Sequence, residues 1–137
     1  MLNSGNNPNG ARHNPMPRDS HFLRLVRIAF WVAFLGSLYF AIVPLPAYPG
    51  GPSDPSDKFL HILAFTVLSG LARIAFPETS LWRIGAWLSA YGAIIEIIQA
   101  IPALHRDSDV MDWVADTLSV AVTLTVLRLV FRRSRLV

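Results

Sequence analysis

Four long apolar segments dominate the pattern of hydrophobic and polar residues along the chain. They run from about 22 to 43, 58 to 76, 81 to 101 and 111 to 131. At about 1.5 Å of helical rise per residue, such segments can cross the roughly 30 Å hydrocarbon core of a bilayer. Prolines separate them, with a proline-rich loop from Pro44 to Pro55 and single prolines at Pro77 and Pro102. The pattern predicts an all-α, polytopic membrane protein built as a bundle of four transmembrane helices.

A soluble helical bundle is the rival interpretation. The uninterrupted apolar runs of the last three segments are short, covering residues 59–72, 84–95 and 117–127. Runs of this length also occur in buried helices of soluble proteins. The composition nevertheless favours the membrane, because 53% of the residues are hydrophobic and only 15% are charged, whereas soluble domains contain about 25% charged residues.

Basic residues predict the orientation of the bundle. Arginine supplies all but one of the twelve basic residues. They cluster before the first segment, between the second and third, and after the fourth, at Arg12, Arg18, Arg24, Arg27, Arg73, Arg83, Arg128, Arg132, Arg133 and Arg135. The positive-inside rule therefore predicts that both termini are cytoplasmic. The position of the arginines beside apolar runs favours membrane lipids over nucleic acid as partners of the chain.

The chain divides into two predicted regions. Residues 1–20 are rich in Asn, Pro and Gly and lack any periodicity, so we expect a disordered cytoplasmic tail. Residues 21–137 form one predicted four-helix transmembrane domain. The chain contains no cysteine, which excludes disulfides and thiolate metal sites, and no sequence motif indicates a metal or another cofactor.

Polar residues gather at one end of the predicted bundle, on its outward-facing side. They are Asp57, Lys58, His61, Glu96, Gln99, Arg106, Asp112 and Asp116. Within each helix the spacing is i,i+4 or i,i+3, which places the pair on one helical face. Three helices therefore each contribute a polar stripe at a similar depth, and we expect the stripes to form one binding site.

Glu96 lies in a run of isoleucines and is the most costly of these residues to place in a membrane. A carboxylate costs at least ~2.5 kcal/mol at the centre of a membrane helix and less towards the interface. We therefore expect Glu96 to pair with Lys58 or Arg106, with Gln99 adding a hydrogen bond. A purely structural network of ion pairs is the alternative.

The order of these residues resembles the VanZ-like family of small bacterial membrane proteins. Asp57-Lys58-x-x-His61 opens one helix, Glu96-x-x-Gln99 lies near the end of the next, and Arg106 precedes Asp112 and Asp116. The similarity runs from about residue 23 to residue 129. It implies a multi-pass protein of the bacterial plasma membrane that acts at the cell envelope, and a link to glycopeptide (teicoplanin-type) antibiotic resistance.

One departure from the family pattern is visible. Many members have Asn-x-x-Gly where this chain has Asp116-Thr117-Leu118-Ser119. The aspartate adds a negative charge to the site, and the missing glycine changes how closely the fourth helix can be approached.

Three functions are compatible with these residues. The first is a binding role, in which Lys58 and Arg106 meet anionic groups of a lipid headgroup or a lipid-linked envelope precursor, while Glu96, Asp112 and Asp116 orient the two cations. The second is a membrane-embedded hydrolase or transferase acting on a lipid-linked substrate, with His61 or Glu96 as the catalytic base. The third is a structural subunit of a larger envelope complex.

Overall fold

The computed structural model describes residues 20–43, 55–104 and 108–133, and over these ranges the fold is helical and contains no strand. Four α-helices are present: α1 (Ser20–Ile42), α2 (Pro55–Ala75), α3 (Leu81–Gln99) and α4 (Val110–Arg133), with a short 3-10 helix at Pro102–Leu104. Each α-helix is long and apolar enough to cross a membrane. The predicted all-α bundle of four transmembrane helices is therefore confirmed, and only the start of α2 differs noticeably, at Pro55 instead of residue 58.

Local sequence explains where the helices begin and end. Ser80 caps α3, because its side chain accepts a hydrogen bond from the Arg83 backbone N–H at 3.4 Å. Asp109 caps α4 in the same way, accepting from the Met111 backbone N–H at 2.9 Å. Pro77 follows the end of α2 closely, since proline cannot continue a helix.

α2 occupies the centre of the bundle. It packs along α1 on one side and along α4 on the other, while α3 packs mainly against α4. Phe65 and Leu68 of α2 and Val120 of α4 are fully buried in the core between these helices. The outward faces carry many exposed large apolar side chains, including Val32, Leu35, Trp87, Ile97 and Val122. Such a surface is favourable in contact with lipid and unfavourable in water.

α1 has few buried residues and is attached to the other helices by polar contacts at three heights. Near one end, the Arg27 Nε donates to the Ala75 carbonyl at 3.0 Å. Near the middle, the Tyr91 hydroxyl donates to the Phe34 carbonyl at 2.9 Å. At the other end, the Gln99 Nε2 donates to the Ala41 carbonyl at 3.3 Å. These bonds supply the directional interactions that lipid-exposed helices need for association.

Some predictions concern residues outside the described ranges. The disordered tail is one of them, since residues 1–19 are not described. Arg106 also lies outside, and Asp57 is placed within α2 without a description of its side chain. The cytoplasmic location of both termini stays a prediction.

Candidate functional site: a polar cluster at one end of the bundle

The polar cluster lies at the end of the bundle where α2 and α4 begin and α3 ends. Because the chain reverses direction from α2 to α3 and again from α3 to α4, these three termini meet at the same end. The cluster consists of Lys58, His61, Glu96, Ser108, Asp109, Asp112 and Asp116. Five of the eight predicted site residues are therefore brought together.

Lys58 contributes an ammonium group to the cluster, and two carboxylates hold that group in place. Its Nζ lies 3.0 Å from Asp112 Oδ1 and 3.5 Å from Asp109 Oδ2. The Asp112 contact is the shorter of the two, and Asp112 Oδ1 is buried. The Lys58 side chain is 43% exposed, so its amine is fixed from one side and accessible from the other.

His61 and Asp116 form the deepest pair of the cluster. His61 Nδ1 lies 3.3 Å from Asp116 Oδ2, and Asp116 has no exposed surface. The predicted i,i+4 stripe on α4 therefore points inwards, with Asp112 near the bundle end and Asp116 one turn deeper. Asp116 Oδ1 is buried and makes no hydrogen bond within the described part of the chain.

Glu96 holds the connection between α3 and α4 in place. Its Oε2 accepts hydrogen bonds from the Asp109 backbone N–H at 3.0 Å and from the Ser108 hydroxyl at 3.2 Å. Glu96 is buried, and its Oε1 finds no hydrogen-bond donor in the ranges that the structure covers. The carboxylate thus does contact groups outside its own helix, as expected of an acid at this depth.

Glu96 was expected to pair with Lys58 or Arg106. Lys58 instead contacts the aspartates at the start of α4, and Arg106 lies outside the described residues. Gln99 does not join the charged groups either, since its amide donates to α1. The i,i+3 spacing places Glu96 and Gln99 about 60° apart around α3 at ~100° per residue. That angle is large enough for Glu96 to face α4 while Gln99 faces α1.

Sequence reasoning gave no site role to Ser108 or Asp109. Asp109 nevertheless contacts three helices: its N–H donates to Glu96 of α3, its Oδ2 contacts Lys58 of α2, and its Oδ1 caps its own helix. A Ser-Asp pair before an apolar helical segment is a typical start signal. That signal could have identified both residues as part of the α4 cap, although not their contacts.

The α3–α4 contact directly below the cluster is also polar. The Trp113 indole N–H donates to the Ser89 carbonyl at 3.1 Å, and the Ser89 and Thr117 hydroxyls lie 2.9 Å apart. Gly92 allows this approach, because a Cβ there would lie 3.3 Å from Phe65 Cζ and 3.5 Å from Asp116 Oδ2. The positions of Asp112 and Asp116 are therefore fixed by close packing of α4.

Negative charge exceeds positive charge among the described residues of the cluster. It contains four carboxylates, those of Glu96, Asp109, Asp112 and Asp116, against the single ammonium of Lys58. His61 is close enough to both buried acids, Glu96 and Asp116, to interact with them electrostatically. No group of three His, Asp or Glu side chains in the described ranges is arranged to hold a metal ion.

The chain matches no protein-family model, no curated protein and no solved structure. The resemblance to VanZ-like proteins thus stays a prediction that rests on the order and spacing of the polar residues. Four of the residues that carry it, Lys58, His61, Asp112 and Asp116, pair with one another in the cluster, Lys58 with Asp112 and His61 with Asp116.

Proposed function

We propose that this chain is a multi-pass protein of the bacterial plasma membrane whose polar cluster binds the headgroup of a lipid or of a lipid-linked envelope precursor. Lys58 contacts the anionic part of the headgroup, and the aspartates of α4 hold its amine in position. A phosphate or carboxylate is the complementary group for a fixed ammonium at a membrane interface.

The partly exposed and doubly supported amine of Lys58 is the observation that supports a binding role most directly. A lysine that only extends towards the headgroups would not need two carboxylates at 3.0 and 3.5 Å. Behind it, His61 and Asp116 form a second, deeper pair. Charged groups from three helices are thus arranged in layers at one end of the bundle, where a headgroup is within reach.

Analysis of co-purified lipids tests the binding role. The full chain is extracted into native nanodiscs, and the retained lipids of wild type, Lys58→Gln and Arg24→Gln are compared by mass spectrometry. Arg24 is an exposed cation on α1 near the opposite end of the bundle, so it serves as the control. We expect one lipid class to be enriched over bulk in wild type and Arg24→Gln and lost in Lys58→Gln. Identical lipid profiles in all three would refute the role of Lys58.

An envelope role is the second part of the proposal, and it rests on the resemblance to VanZ-like proteins. Deleting the gene should change susceptibility to teicoplanin, and the Lys58→Gln variant should behave like the deletion although the protein is present in the membrane. Unchanged susceptibility in the deletion strain would contradict the link to glycopeptide resistance. It would not affect the lipid-binding role, which the lipid profiles test separately.

The His61–Asp116 pair favours a second candidate, a membrane-embedded hydrolase or transferase. A carboxylate at Nδ1 is the arrangement that orients a histidine acting as a general base. In an enzyme, His61→Gln would abolish product formation from the retained lipid while leaving its binding intact. In a binding protein, wild type would return the retained lipid chemically unchanged after prolonged incubation.

A further inference from the structure

A lateral groove of about 600 Å³ lies along the line where α3 and α4 pack together, and we call it the α3–α4 groove. Small side chains form both of its walls, and they recur every four residues along each helix. The wall residues are Gly85, Ser89 and Ala93 on α3 and Thr117, Ala121 and Thr125 on α4. Because residues four apart share one helical face, the small side chains form a stripe along each wall, and larger residues, including Trp113, Val120 and Leu124, complete the lining.

The dimensions of the groove suit an acyl chain. On α4 its lining extends from Trp113 to Arg128, which at helical rise is about 22 Å. One leaflet contributes only about 15 Å of hydrocarbon, half of the bilayer core. The groove is therefore long enough for a complete chain.

The end of the groove farthest from the polar cluster carries a cation. Arg128 lines that end, is exposed, and has no acidic partner within ion-pair distance among residues 20–43, 55–104 and 108–133. Trp82 lies at the same end and is 82% exposed. Tryptophan and arginine side chains are typical of the headgroup level of a membrane, where arginine attracts anionic lipids.

We propose that the α3–α4 groove binds one anionic phospholipid from the leaflet on the Arg128 side. The phosphate pairs with the Arg128 guanidinium beside Trp82, and one acyl chain lies along the small side chains of the two helices. The headgroup contact at Arg128 lies at the end of the bundle opposite the polar cluster, and it does not depend on the function proposed for that cluster. Only the far end of the groove, at Trp113 and Thr117, reaches the α3–α4 contact below the cluster.

Lipid retention with a defined probe tests the headgroup contact. The purified full chain is exchanged into nanodiscs of phosphatidylcholine and phosphatidylglycerol and examined by native mass spectrometry. We expect wild type to retain one phosphatidylglycerol molecule and Arg128→Gln to retain it about tenfold less, as expected for loss of one charge-assisted contact. Arg83→Gln is the control, since Arg83 is an exposed cation at the same end that does not line the groove.

A second pair of variants tests the acyl-chain contact. Ala121 is exposed in the groove, so Ala121→Leu fills the channel without disturbing the core. Val122 is 61% exposed and lies outside the groove, which makes Val122→Leu the control. We expect retention of phosphatidylglycerol to fall in Ala121→Leu and to be unchanged in Val122→Leu. A fall in both variants, or in neither, would count against a chain held in this channel.

Two further outcomes would overturn the proposal. Retention that is lost in Lys58→Gln and kept in Arg128→Gln would place the headgroup at the polar cluster instead. A cysteine at Ala121 that cross-links to a second copy in the nanodisc would show that the groove is occupied by protein. The decisive substitutions, at Arg128 and at Lys58, lie at opposite ends of the bundle. Failure of the groove proposal and failure of the headgroup role proposed for Lys58 therefore give different experimental results.

Discussion

At the scale of single residues, Gly92 decides how closely α3 can approach the buried acid of α4. A Cβ at this position would lie 3.3 Å from Phe65 Cζ and 3.4 Å from Trp113 Cδ1. Phe65 is fully buried, so a methyl group at position 92 is accommodated only if this packed ring shifts by a few tenths of an ångström. The close packing therefore favours glycine here.

We expect Gly92→Ala to lower the thermal stability of the protein in detergent. Inserting a methyl group into a well-packed core costs about 1–3 kcal/mol. Gly70→Ala is the matched control, because nothing lies within 4 Å of the added methyl group there and alanine favours a helix over glycine by about 1 kcal/mol. Equal melting temperatures for the two variants would contradict the packing described for Gly92.

Glu96 supports a prediction that separates its charge from its role as a hydrogen-bond acceptor. Glu96→Gln keeps a carbonyl oxygen that can accept from Ser108 and from the Asp109 N–H, whereas Glu96→Ala leaves both donors without this acceptor. Ser108 and Asp109 are themselves exposed, so water can satisfy their donors and the loss is the net value of the hydrogen bonds, about 1 kcal/mol each. We therefore expect Glu96→Ala to lower the melting temperature clearly and Glu96→Gln to lower it little. A large loss in Glu96→Gln would show that the negative charge itself stabilises the fold.

The sequence identified the depth of these residues but not their partners. Helical spacing shows that Glu96 lies in an apolar run and that Asp112 and Asp116 share a face. It does not show which residue of a neighbouring helix lies opposite, because that depends on the rotation and height of each helix. The spacing consequently left Lys58 and Arg106 as equal candidates to pair with Glu96, whereas Lys58 contacts Asp109 and Asp112.

At the scale of helices, α1 depends on a few polar contacts for its attachment. The Tyr91 hydroxyl donates to the Phe34 carbonyl and lies 2.9 Å from the Ser37 hydroxyl. Because the Tyr91 and Phe34 rings also stack at 4.1 Å, Tyr91→Phe removes the hydrogen bonds and keeps the ring contact.

We expect Tyr91→Phe to destabilise the bundle by about 1 kcal/mol, the usual net value of a hydrogen bond. The measurement is the midpoint of thermal unfolding in detergent. Tyr39→Phe serves as the control, since Tyr39 is 62% exposed on the lipid-facing side of α1. A loss of the same size in both variants would mean that the hydrogen bonds of the Tyr91 hydroxyl contribute no measurable stability.

The ends of the helices were the most predictable features of the fold. Pro77, Pro102 and the proline-rich loop after α1 prevent helix continuation whatever surrounds them, so their effect is visible in the sequence. The α3–α4 groove was not predicted, because a run of small residues has the same appearance whether it packs against a helix or lines a channel.

At the scale of the whole molecule, the orientation in the membrane is the main untested prediction. The chain has no cysteine, so an introduced cysteine is its only thiol. With both termini cytoplasmic, a cysteine at Gly51 should react with a membrane-impermeant reagent in intact cells, and a cysteine at Glu78 should react only after permeabilisation. The reverse pattern would invert the bundle and place the polar cluster on the cytoplasmic side.

Asp109 links the three helices that meet at the polar cluster. Through its N–H, its Oδ2 and its Oδ1 it contacts α3, α2 and the first turn of α4, so these three contacts share one residue. In the binding role proposed above, a headgroup that moves the Lys58 amine away from Asp109 removes one of the contacts at the start of α4. We therefore expect headgroup occupancy to change the mobility of the first turn of α4.

Hydrogen–deuterium exchange measures that coupling. Asn is as good a helix cap as Asp, so Asp109→Asn keeps the N-cap and the backbone N–H while removing the charge that faces Lys58. We expect exchange of the amides in the first turn of α4 to respond to lipid in the wild-type protein and to be insensitive to lipid in Asp109→Asn. Through this one aspartate, the filling of the proposed surface site is expected to be felt at the start of α4.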